Sequence, residues 1–319
     1  MAIAKEKPDG LIGKIAGAFR RNKAKPAPKK GASLKKTDAP NASQKLHEET
    51  VHWPPNRLNV IEKLWGLGYT TPGGAESVKL LLPLLGLDEK KSLLLLGAGL
   101  GGISETMVEE TGVWVTGYEP DKELAALGQE SMKRAGLQRK APIRFDTLES
   151  LKLKPKSFDA MMAFDAIHTV TDKKALFSAV TDSLRLDGEM RFVSYVLPDT
   201  NPPNQKVQVW ARHQSLVPSL WPQEAMLAML NSLNLDVRPP DDITHEFRVR
   251  VLKAWMDFLS TMKKDELLRI AGDLVGECER WADLITAIDT GGIKVLRYHC
   301  IKLPDQRKSI SELMGTPKG

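Results

Sequence analysis

Hydrophobic and polar positions form blocks from about Asn56 onward, and the blocks switch between a strand-like and a helix-like period. SLLLL at 92–96 is continuously apolar, as expected of a parallel strand that is covered on both faces. Further strands are predicted at 113–119, 142–146, 158–164 and 189–197, and helices at 57–65, 75–85, 104–111, 122–135 and 173–185. Strands that alternate with helices over short connections predict an α/β fold with a doubly wound parallel sheet.

The last 120 residues have a different pattern, with more helix and fewer strands. The periodicity predicts helices at 222–233, 243–262 and 264–288, a short strand at 235–239 and a closing strand at 292–303. This portion is expected to supply the last two strands of the sheet and a helical cover. No internal repeat is present in the sequence.

A glycine-rich turn carries the strongest chemical signal. GAGLGG at 97–102 follows the apolar strand and precedes a helix. Glycines allow a tight turn that brings backbone amides close to a ligand, and the helix N-terminus offers unpaired N–H groups. Glu119 ends the next predicted strand, 22 residues after Gly97, where a carboxylate can accept both ribose hydroxyls of an adenosine. The spacing also satisfies G-x-G-x-x-G, so an NAD(P)-dependent oxidoreductase stays an alternative.

The same turn resembles motif I of the class I, seven-stranded S-adenosylmethionine-dependent methyltransferases. Segments 142–147, 158–170 and 183–196 also resemble that family, over about residues 57–303. The resemblance implies a doubly wound, mostly parallel seven-stranded sheet with an antiparallel last strand and a helical cover inserted between strands five and six. It implies S-adenosylmethionine as the cofactor, held by Gly97, Gly99, Gly101, Glu119, Asp146, Thr147 and Asp165.

LWGLGYTTPGG at 64–74 is similar to the corresponding segment of small-molecule and lipid-headgroup methyltransferases, such as the sarcosine and phosphoethanolamine enzymes. This likeness implies methyl transfer to a small-molecule or lipid-linked acceptor. It makes Tyr69 a lid residue and His168 a base or acceptor-orienting group, so these two are the predicted catalytic residues. Three further residues are candidates for the pocket, although core or cover packing is the preferred explanation for each of them: Tyr195, Trp210 and His213.

One position departs from the family pattern. Leu95 stands where the family has an acid, two positions before the first glycine, that holds the methionine ammonium group. Losing a charge-assisted hydrogen bond costs about 1.5–3 kcal/mol, which is about tenfold or more in affinity. A catalytically degenerate, methyltransferase-like binding or scaffold protein is therefore a further alternative.

Charge is distributed unevenly along the chain. Residues 1–45 hold 12 Lys/Arg and 3 Asp/Glu, whereas the other 274 residues hold 34 and 37. We predict a disordered basic tail at 1–50, the methyltransferase domain at 51–304 and a C-terminal tail at 305–319. Within the basic tail, 10–22 predicts a short cationic amphipathic helix that would bind an anionic membrane surface.

Composition limits the remaining classes. No apolar run approaches the ~18 residues of a membrane span, and the N-terminus has no secretory apolar region. We therefore expect a cytoplasmic protein, peripheral on the inner face of a membrane if the helix docks there. No nucleic acid partner is expected, because the body is slightly acidic and lacks the N/D-P-P-Y/F signature after strand four. Two cysteines exclude a disulfide-built scaffold, and the scattered histidines predict no metal site. The oligomeric state is not indicated.

Overall fold

The computed structural model of the protein describes residues 53–304. The predicted basic tail at 1–50 with its helix at 10–22, and the C-terminal tail at 305–319, lie outside the described residues. Strands within 53–304 are β1 (Ser92–Leu96), β2 (Trp114–Glu119), β3 (Ile143–Phe145), β4 (Phe158–Ala163), β5 (Leu184–Val196), β6 (Leu235–Val237), β7 (Asp241–Asp242) and β8 (Lys294–Lys302).

These strands form one sheet in the order β3-β2-β1-β4-β5-β8-β6, and β7 also pairs with β8. Neighbouring strands from β3 through β5 are parallel. β8 is antiparallel to both β5 and β6, so it lies between them in the sheet. The predicted mostly parallel sheet with an antiparallel last strand is confirmed, and the two-residue β7 is the one strand added to it.

Helices cover both faces of this sheet. They are α1 (Pro55–Trp65), α2 (Gly74–Leu81), α3 (Gly102–Thr111), α4 (Lys122–Arg134), α5 (Lys173–Ser183), α6 (Gln205–Arg212), α7 (Gln223–Asn231), α8 (Thr244–Thr261), α9 (Lys264–Arg269) and α10 (Ala271–Asp289). Short 3-10 turns lie at Leu82–Leu85 and Ile167–Thr169. Among the described helices, none is long and apolar enough to cross a bilayer.

The apolar run of β1 is explained by its central place in the sheet. Leu93 and Leu95 belong to the core that α1, α2, α8 and α10 share with the sheet. Leu94 and Leu96 belong to a second core, which α5 and α7 cover. Successive side chains of a strand point to opposite faces, so a strand buried on both faces has no polar alternation.

Three details differ from the sequence prediction. The predicted helix 264–288 is two helices, since the chain leaves helical geometry at Ile270, whose side chain is buried in the core. β5 begins at Leu184 because Leu184 pairs with Phe158 of β4; after a register shift, the pairing resumes at Glu189. Of the helical cover expected between strands five and six, only α6 and α7 lie there; α8, α9 and α10 precede β8.

Candidate active site

A cavity opens at the carboxyl ends of the central parallel strands. Gly97 follows β1, Glu119 ends β2 and Asp165 follows β4, and all three residues line this cavity. Carboxyl ends of neighbouring parallel strands meet at one edge of a sheet, which is where open α/β sheets bind their ligands. We call it the first cavity.

The glycine turn forms one wall of the first cavity, and its geometry requires glycine. Gly97 has φ +79°, and a Cβ at this position would lie 2.0 Å from the carbonyl oxygen of Phe164. Gly101 has φ +102° immediately before α3, and a Cβ there would lie 2.7 Å from Met132 Cε. The turn therefore packs its backbone closely against the chain after β4 at Gly97 and against α4 at Gly101.

Glu119 is the acid next to this turn, and the protein holds it in place through backbone amides. The side chain is buried, with the residue 5% exposed. Oε2 accepts the N–H of Gly99 at 2.8 Å, and Oε1 accepts the N–H of Asp121 at 2.9 Å. Burial raises the pKa of Glu119 to about 7, although these two amides oppose the rise. Each oxygen keeps a second lone pair for a ligand hydroxyl.

The opposite wall comes from the start of α1 and from α10, and the sequence did not indicate it. Trp53 donates its Nε1–H to Asp121 Oδ2 at 2.7 Å. The Arg57 guanidinium lies 3.9 Å from the centre of the Trp53 ring and forms a buried ion pair with Glu277 at 2.9 Å. Arg280 also binds Glu277, so charges from two distant segments meet beside the cavity.

A second cavity joins the first. It extends between β5, α2 and α8, and five residues line both cavities: Thr71, Phe164, Asp165, His168 and Tyr195. The Tyr195 hydroxyl forms a hydrogen bond with the Asp165 carboxylate. The His168 and Tyr195 rings pack with centroids 4.7 Å apart. We call these last three residues, Asp165, His168 and Tyr195, the junction.

Burial changes the two titratable groups of the junction in opposite directions. It raises the pKa of Asp165 to about 7, although the hydrogen bond from Tyr195 opposes the rise. It lowers the pKa of His168 to about 3, and the charge on Lys173 contributes. His168 is therefore neutral at physiological pH. Its Nδ1 lies 3.8 Å from Asp165 Oδ1 and has no hydrogen-bond partner among the described residues.

The structure does not bring every predicted residue to the cavities. Tyr69 is buried under the glycine turn, where its hydroxyl donates to the carbonyl oxygen of Gly102 at 2.9 Å and contacts Thr106. Asp146 and Thr147 bind Ser150 outside the lining. The backbone N–H of Asp146 still donates to the carbonyl oxygen of Glu119 at 3.3 Å, which places the pair one residue from the cavity.

The remaining residues lie in three kinds of place: a cavity lining, the exposed surface and the core. Trp210 lines the first cavity and packs against His168, with ring centroids 6.1 Å apart. His213 forms an ion pair with Asp283 at 2.7 Å and does not line either cavity. Leu95 is fully buried in the core, so no charge replaces the missing acid at that position.

The chain is similar in sequence to known methyltransferases. A family model described as a methyltransferase domain matches residues 94–190. Phosphoethanolamine N-methyltransferase 3 of Arabidopsis thaliana is 24% identical over 220 residues, which are 68% of this chain and 43% of that protein. Phosphoethanolamine N-methyltransferase 2 of Caenorhabditis elegans is 23% identical over 43% of this chain and 32% of its own length. The chain thus spans less than half of these curated relatives.

Solved structures show the same fold. Phosphoethanolamine N-methyltransferase 2 of Haemonchus contortus, in complex with phosphomonomethylethanolamine and S-adenosylhomocysteine, aligns with a TM-score of 0.63 at 18% identity, over 77% of this chain and 57% of that one. Geranyl diphosphate C-methyltransferase from Streptomyces coelicolor aligns with a TM-score of 0.58 at 15% identity, over 71% and 75%.

Proposed function

We propose that this chain, which has the class I methyltransferase fold and a methyltransferase domain match at residues 94–190, transfers a methyl group from S-adenosylmethionine to an amine of a small-molecule acceptor. The observation that carries the proposal is the junction, whose residues line both the cavity beside the glycine turn and the second cavity. Methyl transfer requires two ligands to meet in a water-poor place, with little further chemistry from the protein.

The first cavity fits the cofactor. The buried Glu119 carboxylate keeps free lone pairs for ribose hydroxyls, and Gly97 and Gly99 bring backbone close to a ligand. Gly101 shapes the turn from behind. S-adenosylmethionine, when bound, supplies a methyl group that its sulfonium centre already activates. Asp146 and Thr147 are proposed for the adenine side, next to the ribose carboxylate.

Asp165 and His168 divide the proton chemistry in this proposal. The His168 imidazole, with a pKa of about 3, holds a proton poorly at neutral pH, whereas the Asp165 carboxyl, with a pKa of about 7, suits general-base catalysis. Asp165 therefore attracts the ammonium form of the acceptor and accepts its proton, so that the nitrogen presents a lone pair. His168 orients the acceptor by accepting an N–H at Nδ1. Tyr69 stabilises the turn from outside the cavity.

Titration calorimetry with S-adenosylmethionine and S-adenosylhomocysteine tests the cofactor site. We expect binding to the full chain and at least tenfold weaker binding to Glu119→Ala. The matched control is Glu130→Ala on the exposed side of α4, which should bind as the wild type does. Transfer of labelled methyl to phosphoethanolamine and other primary amines tests the activity, and Asp165→Asn should lower kcat. Absence of cofactor binding by the wild type would overturn the proposal.

Leu95 supports one alternative, a binding or scaffold protein without catalysis. The carboxylate that the family uses at this position is absent, and the leucine side chain is buried. The absence of binding heat with S-adenosylmethionine, together with the absence of a thermal shift with S-adenosylhomocysteine, would favour this alternative. The NAD(P)-dependent oxidoreductase is not supported, because the matching domain and relatives are methyltransferases; titration with NAD(P)H is its direct test.

We also propose that residues 10–22 bind an anionic membrane surface and bring the domain to it. Support comes from the sequence alone, which places apolar and cationic side chains on opposite sides of a helix there. Sedimentation with anionic liposomes, comparing the full chain with a variant that lacks residues 1–45, is the test. Equal sedimentation of the two proteins would remove this proposal.

A further inference from the structure

The second cavity changes character along its length. At its inner end the junction supplies a carboxylate, a neutral imidazole and a phenol. The middle is apolar and includes the buried Leu81 and Phe247 together with Val193. Arg250 and Arg297 line the other end. The cavity therefore runs from a negative group, through an apolar segment, to two positive groups.

The strand register gives the spacing of these groups along the sheet. Val193 pairs with Arg297 across β5 and β8, and Tyr195 pairs with Val295. Residues two apart on a strand point to the same face, and each residue advances the chain by about 3.4 Å. Arg297 therefore begins about 7 Å along the sheet from Tyr195, on the same face and beside Val193.

Exposure identifies the arginine end as the outer end. Leu80, which also lines the cavity, is 64% exposed, and the Glu246 side chain is 54% exposed. His168 and Tyr195 at the junction are each 5% exposed, whereas the Asp165 side chain is 38% exposed where the two cavities meet. A ligand in this cavity would thus place one end against Asp165 and the other near the opening.

Neighbouring groups fix the orientation of the two arginines. Arg250 donates to Ser77 Oγ at 3.0 Å and pairs with Glu246, and Arg297 donates to Asp241 through Nε and Nη2. A guanidinium has five N–H donors, so each arginine keeps donors for a further partner. Each arginine is paired with one carboxylate, so the outer end offers an anion the remaining guanidinium N–H donors rather than an excess of positive charge.

We infer that the acceptor carries its amine and an anionic group, phosphate or carboxylate, at opposite ends of an apolar segment of several carbons. The inference rests on the proposed function and names the substrate class for the same site. The amine would lie at Asp165, the apolar segment along Val193 and Phe247, and the anion at Arg297. In phosphoethanolamine two carbons separate amine and phosphate, which is too short to use the apolar middle.

A series of ω-aminoalkyl phosphates, from the two-carbon compound to the eight-carbon one, tests the inference. Binding to the full chain is measured by calorimetry with S-adenosylhomocysteine present, and methyl transfer is measured separately. We expect affinity to rise by about fourfold per methylene until the molecule spans the cavity. Tightest binding by the two-carbon compound, or affinity independent of length, would overturn the inference and leave the proposed function standing. Failure to bind S-adenosylhomocysteine would instead count against the proposed function.

Variants separate the two ends of the cavity. Arg297→Gln should weaken binding of the six-carbon aminoalkyl phosphate about tenfold, with no change for hexylamine, because hexylamine has no anionic group. The ratio of the two affinities within one variant cancels any general loss of fold. Arg250→Gln is the second variant and should behave alike. Arg238→Gln is the matched control, since Arg238 pairs with Asp236 and lies outside the cavity. Equal losses for the phosphate and for hexylamine in both arginine variants would contradict the assignment.

Discussion

At the scale of single residues, Asp165 combines an unusual backbone conformation with a place at the junction. Its side chain is 38% exposed and borders both cavities, and its backbone has φ +47°. A non-glycine residue in that conformation is held there by its surroundings. Here the buried residues on either side of it, Phe164 and Ala166, fix the chain and direct the carboxylate into the junction.

The raised pKa of Asp165 predicts a pH-dependent stability. A carboxyl whose folded-state pKa is about 7, above its unfolded value of 3.8, stabilises the fold fully below about pH 4 and loses that contribution as pH rises through 7. Because the Asp165 side chain is 38% exposed, solvent screening makes this contribution smaller than the full shift in pKa would give. Asp165→Asn keeps an acceptor for Tyr195 but cannot ionise. Its melting temperature should therefore rise relative to the wild type between pH 5 and pH 8, by on the order of 2 °C.

Thermal melts of both proteins across that pH range make the measurement. Asp257→Asn is the control, since Asp257 is exposed and pairs with Lys253 on the same helix. A difference between Asp165→Asn and the wild type that is constant with pH would refute the assignment.

At the scale of elements, the turn between β1 and α3 joins the sheet to the first cavity. Its glycines are required for two separate reasons, the positive φ and the absence of a side chain. Gly97 shows both, because a Cβ would overlap the carbonyl oxygen of Phe164. Gly136, at the end of α4, has a similar φ of +73° but open space around it.

These two glycines allow the reasons to be separated. Gly136→Ala should lose about 1–2 kcal/mol of unfolding free energy, which is the cost of a left-handed alanine. Gly97→Ala should lose several kcal/mol more, or fail to fold, because backbone must move to admit the methyl group. Urea unfolding of the two variants and the wild type measures the difference. Equal losses would mean that the contact with Phe164 relaxes without cost.

The sequence predicts elements whose signals are local. The apolar run of β1, the glycines after it and the acid at Glu119 all lie within one βαβ unit, and the structure brings them together as expected. The Arg57–Glu277 pair joins residues 220 positions apart, so no local pattern could indicate it. Similarly, no local pattern indicates that Tyr195 and Asp165, which lie on different strand ends, contact each other in the fold.

At the scale of the whole molecule, one sheet separates two cores. The larger core contains Cys278 of α10, and the other contains Cys300 of β8. Strand β1 contributes alternate leucines to both cores, so unfolding of either core would expose one face of the central strands. Such an arrangement favours a single cooperative unfolding transition for the residues that the structure describes.

The two cysteines report on the two cores separately. Burial raises the pKa of each thiol to about 12, so both are unreactive in the folded protein. Cys278→Ala leaves the Cys300 thiol as the probe of its core, and Cys300→Ala leaves the Cys278 thiol as the probe of the other core. We expect both variants to become reactive towards a thiol reagent at urea midpoints that match their own fluorescence transitions. Reactivity of one thiol well before its fluorescence transition would show that its core opens independently.

The insertion of β8 between β5 and β6 has a consequence for biosynthesis. A ribosome releases residues 184–242, including the three strands that β8 joins, well before it releases 294–302. Until then β5 has one open edge, and β6 and β7 lack the strand with which they pair. Arg297, which completes the outer end of the second cavity, arrives on that same late strand. A nascent chain that stops before Lys294 should therefore be sensitive to protease even with the whole glycine turn already made.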